Sequence, residues 1–178
     1  MSFNINIPVK IISGRGCLQD NAAALIQGHR AVIVCGAHGA AASGALGDVC
    51  RVLDDAQVGY MIFDKVTENP PLATCFDGGQ AAHAIGADFV IGIGGGSSLD
   101  SAKAIAAFAA NPGIEPEQLF DSSALNSPLL PLVLIPTTAG TGSEANPYAV
   151  MTLPDGLRKR SFNHPGAWAR VAFLDPAY

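Results

Sequence analysis

Charge is scarce in this chain. Only 14% of its 178 residues are Asp, Glu, Lys or Arg, and the net charge is −5; an average globular domain has about a quarter. Few, unclustered cations on an acidic chain argue against nucleic acid as a partner, because phosphate recognition needs grouped Lys and Arg. The one dense basic run, Arg158-Lys159-Arg160, reads as a solvated turn. The four cysteines, Cys17, Cys35, Cys50 and Cys75, contain no CxxC pair. That excludes a disulfide framework and implies a reducing compartment. Long apolar runs are missing as well, none approaching the ~20 residues that span a bilayer. Residues 1–12 have no basic segment followed by a long apolar core. The expectation is a cytoplasmic protein with no membrane partner. There is no HExxH and no other close pairing of a carboxylate with His29, His38, His83 or His164. No G-x-S-x-G elbow or Ser/His/Asp order occurs either, so no complete catalytic set is in view. His83 reads as a surface or satisfied core histidine.

What is abundant is apolar residues, at 49%, and glycine, at 20 residues. The length suits one domain, or one domain and part of a second. Apolar runs at Val9–Ser13, Ala31–Cys35, Val58–Phe63, Asp88–Ile93, Leu132–Ile135, Ala149–Leu153 and Val171–Leu174 read as strands. A further short strand is expected near Ser161. Helical spacing covers Cys17–Gln27, Ala41–Asp55, Leu72–Ile85 and Ser98–Ala110. Gly78-Gly79 in the third of these weakens it on propensity. Residues 114–130 read as irregular. Strands alternating with helices imply parallel pairing through right-handed crossovers. Strands apolar throughout imply a sheet covered on both faces. The fold class is therefore α/β, an open, mostly parallel Rossmann-like sheet, with ligands expected at strand carboxyl ends.

The chain is organised around Ile91-Gly92-Ile93-Gly94-Gly95-Gly96-Ser97-Ser98-Leu99-Asp100-Ser101-Ala102-Lys103. A strand enters a glycine turn and a helix leaves it. Free amides and the positive end of the helix dipole make such a turn an anion site. The pattern lacks the third glycine of G-x-G-x-x-G and cannot be laid on a P-loop. What remains is three consecutive glycines that let a phosphate approach, then Ser97 and Ser98 as donors and Lys103 as a point charge. The assignment is a phosphate or pyrophosphate site.

Two other turns fall at strand carboxyl ends. Pro136 to Glu144 carries three Thr, two Gly and one Ser in nine residues. It is either a polar loop capping a helix from Ser143 or a hydroxyl-lined wall for a ligand. Gly36-Ala37-His38 follows a buried strand and carries no acid. A carboxylate there often takes the ribose hydroxyls of NAD and disfavours a 2′-phosphate, so its absence removes one barrier to NADP.

Gly94 to Lys103 resembles the GGGSxxDxAK signature of the iron-containing (group III) alcohol dehydrogenases. Pro136 to Glu144 resembles that family's PTTAGTGSE signature. Gly14-Arg15-Gly16-Cys17-Leu18, the Asn69-Pro70 loop and Phe173-Leu174-Asp175-Pro176 also match in order, so the resemblance covers nearly the whole chain. Dehydroquinate synthases and glycerol dehydrogenases are more distant relatives.

The resemblance implies an N-terminal NAD(P)-binding α/β domain, here residues 1–178. In the family a helical domain follows whose Asp and three His hold Fe²⁺ or Zn²⁺, and hydride passes between nicotinamide and a small alcohol or aldehyde. By matching position, Gly94, Gly95, Gly96 and Ser97 would hold the pyrophosphate. Asp100 and Lys103 would border the phosphate and nicotinamide side. Thr137, Thr138 and Thr141 would line the nicotinamide half, and Asn69 would lie near the ribose. Gly36 stands where NAD-using members often have Asp, which favours NADP or mixed use. The lysine that usually precedes the last strands is Lys159 or Arg160. The first metal ligand of the family lies beyond the Leu-Asp-Pro segment, so Asp175 is not assigned as one, and the chain is expected to bind cofactor without turning over substrate. A stand-alone nucleotide module and a glycerol-dehydrogenase- or dehydroquinate-synthase-like relative are the rival readings. Apolar surface near the Thr-rich loop is expected to drive homo-oligomers.

Overall fold

A computed structural model describes residues 6–178; positions 1–5 of the opening segment lie outside the described residues. The elements are β1 (Lys10–Ser13), α1 (Cys17–Asp20), β2 (Arg30–Gly36), α2 (Gly39–Ala42), α3 (Ala45–Asp55), β3 (Gly59–Val66), α4 (Leu72–Ala84), β4 (Phe89–Gly94), α5 (Gly96–Ala110), β5 (Leu132–Pro136), β6 (Tyr148–Thr152), β7 (Lys159–Asn163) and β8 (Val171–Leu174). Six strands form one parallel sheet in the order β1-β8-β5-β4-β2-β3. β6 and β7 form a separate antiparallel hairpin. The mostly parallel, helix-covered sheet is the expected α/β class.

Side chains of a strand alternate between faces, and the two faces of the sheet hold separate cores. Val32, Val34, Val90, Leu132 and Leu134 meet α4 and α5 on one side. Ala31, Ile33, Phe89, Ile91, Ile93, Val133 and Ile135 meet α1, α3 and the Ala40 end of α2 on the other. This double burial is why β2, β4 and β5 read as unbroken apolar runs.

The helix after β2 packs on one face as the chain moves outward to β3. The helix after β4 packs on the other face as the chain moves inward to β5. The carboxyl ends of β2 and β4 therefore border a crevice, the usual ligand position in such sheets.

Several element boundaries differ from those read in the sequence. The run Cys17–Gln27 is not one helix. α1 stops at Asp20, Asn21 takes φ −127° and bonds back to the Cys17 carbonyl, and a 3₁₀ turn covers Ala22–Ala24. The run Ala41–Asp55 is two helices, split at Gly44, whose φ of 87° no right-handed helix accepts. β3 continues to Val66, beyond the apolar run, because pairing with β2 carries it through Asp64 and Lys65. α4 forms across Gly78-Gly79. A Cβ on Gly78 would stand 2.6 Å from Ile105 Cδ1, and one on Gly79 would overlap Phe108. The low-propensity pair is the contact surface that lets α4 and α5 approach. Residues 114–130, read as irregular, carry short 3₁₀ turns at Pro116–Phe120 and Ser122–Ala124.

No helix of the described residues is long and apolar enough to cross a membrane.

Candidate functional site

β4 delivers Gly94 with φ 139°, and α5 begins two residues later. A Cβ on Gly94 would lie 2.6 Å from Ser98 Oγ, so both the backbone angle and the space select glycine there. α5 is a 15-residue helix, and no side chain caps its N-terminus. Its first amides are therefore left for a ligand, with the dipole behind them. Ser97 is half-buried at this turn and lines a cleft of about 340 Å³. Ser98 is turned inward and buried, so it does not join Ser97 on the surface.

β5 runs beside β4, pairing Gly94 with Pro136, and the Thr137 amide donates to the Gly94 carbonyl at 3.0 Å. This brings the Thr-rich loop over the glycine turn. A Cβ on Gly95 would meet Thr138 Oγ1 at 3.3 Å, and one on Gly96 would meet Thr141 Cγ2 at 2.8 Å. The loop starts no α-helix at Ser143, only a 3₁₀ turn over Ser143–Ala145. The stretch therefore caps no α-helix, and Thr138 and Thr141 stand against the glycine turn.

The wall divides two openings. Thr141 faces the smaller cleft, together with Asn69, Gly96, Ser97 and Asp100. Thr137 and Thr138 face a larger one of about 720 Å³, closed on its far side by Ser13, Gly14, Asp175 and Tyr178. The larger cavity is displaced toward β1 and β8; the crevice marked by the strand order lies at β2 and β4. The uncapped start of α5 borders the smaller cleft through Gly96 and Ser97. Gly36 ends β2, where it pairs with Val66 of β3 beyond a register irregularity, and it lines neither cleft.

Asn69 adopts φ 51°, a left-handed angle that Asn tolerates. Its carbonyl accepts from Thr152 Oγ1 at 2.9 Å, and its Oδ1 accepts from Lys159 Nζ at 2.6 Å. The basic run is thus not a turn. It enters β7, and its three cations part company. Arg158 pairs with Asp155. Lys159 lines the smaller cleft. Arg160 lies over the Phe120 ring, 4.6 Å from its centroid. Strand alternation puts Lys159, not Arg160, at the site.

Lys103 is not at the cleft surface. Its side chain is fully buried, and its ammonium donates to Tyr148 O at 2.6 Å, Ser143 O at 2.7 Å, Ser143 Oγ at 2.9 Å and Asn146 Oδ1 at 3.4 Å. Burial pushes its pKa down to about 8, while the nearby Asp100 and Glu144 charges pull it up. The helix register explains the difference from the sequence reading. Lys103 lies two turns into α5, under the Ser143–Tyr148 segment and beyond the turn that faces a phosphate. Asp100 does line the cleft, but both its oxygens are engaged, accepting from Ser143 Oγ at 2.6 Å and from the Val150 amide at 2.9 Å.

Asn146, Tyr148, Val150 and Thr152 also line the smaller cleft and were not singled out in the sequence. The signal for them was weak: they sit around a hairpin whose docking against α5 no local pattern records. His83 is exposed, with Nδ1 3.1 Å from the Ala109 carbonyl. Asp175 is buried, and its carboxylate accepts from the Gly16 amide at 2.6 Å and the Ala177 amide at 2.8 Å, which ties the chain end to the turn before α1. Among the described residues no group of three or more His, Cys, Asp or Glu side chains comes together to hold a metal ion.

Comparison with known proteins agrees with this arrangement. The family model for iron-containing alcohol dehydrogenase matches residues 8–176. The chain is 35% identical over 133 residues to lactaldehyde reductase of Escherichia coli K12, covering 74% of this chain and 35% of that protein. It is 28% identical over 179 residues to NADH-dependent butanol dehydrogenase A of Clostridium acetobutylicum, covering all of this chain and 46% of that one. The crystal structure of an iron-containing alcohol dehydrogenase from Thermotoga maritima superposes with a TM-score of 0.91 at 35% identity, over 99% of this chain and 48% of that one. The chain therefore spans less than half the length of the relatives it matches. With the glycine turn, the threonine wall and the sheet order all in place, and with a family match from end to end of the described sheet, this chain belongs to the iron-containing alcohol dehydrogenase family.

Proposed function

We propose that this chain is the NAD(P)-binding domain of a metal-dependent alcohol dehydrogenase or aldehyde reductase. The observation that carries the reading is the uncapped N-terminus of α5, set at the crevice between β2 and β4 and roofed by the Thr-rich loop. A dinucleotide fits these residues. The backbone of Gly94, Gly95, Gly96 and Ser97 would hold the pyrophosphate. Thr137 and Thr138, on the larger opening, would line the nicotinamide half, and Thr141 would stand on the pyrophosphate side. Asn69 would lie near the ribose, and Lys159 supplies a positive charge beside it. Gly36 brings no carboxylate to the end of β2, which removes one barrier to a 2′-phosphate, so NADP or mixed use is favoured.

When bound, the dinucleotide supplies hydride transfer to or from a small alcohol or aldehyde. The residues of this chain bind and orient it. The described residues do not fit Fe²⁺ or Zn²⁺, because no ligand set converges among them. The activity proposed for the chain itself is cofactor binding without turnover.

Titration of the 178-residue chain with NADPH and NADH, followed by nucleotide fluorescence, tests the reading. Both are expected to bind, NADPH at least as tightly as NADH. Absence of binding to either at millimolar concentration would overturn it. Metal-dependent aldehyde reduction by the chain alone would overturn the assignment to cofactor binding only.

A further inference from the structure

Lys103 is the one fully buried cation singled out in the sequence that does not reach the cleft, and its surroundings give it a different task. The segment from Ser143 to Pro147 is a 3₁₀ turn and a link into β6, outside any sheet ladder. Buried backbone acceptors need partners. Lys103 supplies them, spreading three ammonium protons over the Ser143 and Tyr148 carbonyls, the Ser143 hydroxyl and Asn146 Oδ1. Asp100, one turn earlier on the same face of α5, accepts hydrogen bonds from the Ser143 hydroxyl and the Val150 amide. Ser143 is thus gripped from both sides, and its own amide donates to Thr141 Oγ1 at 3.3 Å. Thr141 in turn stands against Gly96. Asn146 closes the circuit, donating to the Gly142 carbonyl at 2.8 Å.

We propose that Lys103, with Asp100, is a positioning residue that fastens residues 143–150 to α5 and, through Ser143, holds Thr141 over the glycine turn, so that the dinucleotide cleft is formed before ligand arrives. The claim about the cleft rests on the cofactor reading above; the claim about the segment does not. Two anchors on one rigid helix, each with at least two bonds to the same loop, restrict the loop's position more than capping at one point would. The loop therefore does not have to be ordered by the nucleotide at a cost in affinity.

The test is amide hydrogen exchange on the 178-residue chain without nucleotide, paired with NADPH titration. Lys103→Met removes the four bonds and lies outside the cleft. Exchange in residues 139–150 is expected to rise at least tenfold while β4 amides stay protected, and NADPH affinity is expected to fall at least tenfold. Leu53→Ala, a core change on α3, is the control: it lowers the melting temperature and leaves affinity as it was. Unchanged exchange in a folded Lys103→Met protein overturns the proposal, and so does raised exchange with unchanged affinity. If Lys103→Met does not fold, Ser143→Ala decides in the same way, with raised local exchange and weakened binding supporting the proposal and unchanged values overturning it. If the unmodified chain binds no dinucleotide, the cofactor reading fails, and the fastening of the segment stands or falls on exchange alone.

Discussion

Two adjacent residues of one basic run show how much a single position decides. Lys159 and Arg160 are adjacent, equal in formal charge and both exposed, yet one reaches Asn69 in the cleft and the other covers Phe120. The expected outcome is that Lys159→Ala weakens NADPH binding about tenfold, and less so at high salt, because an exposed charge is screened. Arg160→Ala is expected to leave affinity unchanged. Titrations at low and high ionic strength check both. Lys103 yields a pH prediction of definite sign. Its folded pKa is about 8, below the 10.5 of an ordinary lysine. Between those values the unfolded chain holds a proton that the native chain has released, so this group's contribution to stability rises with pH through that window. The thiols of Cys35 and Cys75 act oppositely, since burial raises them from 9.0 to about 11 and about 12, and their contribution fades as pH climbs past 9. Urea unfolding of the unmodified chain and of Lys103→Met across pH 7 to 10.5 isolates the lysine, and the stability of the unmodified chain relative to the variant is expected to increase as pH rises.

At the scale of the element, the helix pair α4 and α5 depends on what is missing from it. Gly78 and Gly79 give α4 a flat face, and Ile105 and Phe108 of α5 fill it. A glycine in mid-helix costs about 1 kcal/mol against alanine, but the close approach returns more. Gly79→Ala should therefore destabilise despite the better propensity, by about 1–3 kcal/mol, the usual cost of overpacking a tight core; the midpoint of a urea melt measures it. The same competition explains the strand and helix ends. β3 outruns its apolar stretch because β2 offers a ladder, and α1 stops short because Asn21 satisfies the backbone locally. Both are outcomes of partners that composition does not record.

Among the described residues the sheet ends on β1 and β3, and Ile7, Ile11 and Ile62 are exposed at or beside these edges. The hairpin adds Tyr148, Val150 and Leu157. Open edges and apolar side chains favour pairing between chains. Light scattering from micromolar to millimolar concentration is expected to show mass rising with concentration; a monomer throughout would contradict this. The sequence by itself determined the parallel α/β sheet, since buried β-branched runs alternating with helical ones leave few other arrangements. It also located the glycine turn and the threonine run, because each is contiguous and its chemistry lies in residue type. Only the tertiary structure decided which side chains share the cleft. Lys159 enters it from a hairpin ninety residues after Asn69, and Lys103, inside the signature itself, leaves it for the core. Spacing along a chain places a side chain on a face of its own element, but what that face meets depends on packing between elements far apart in the chain.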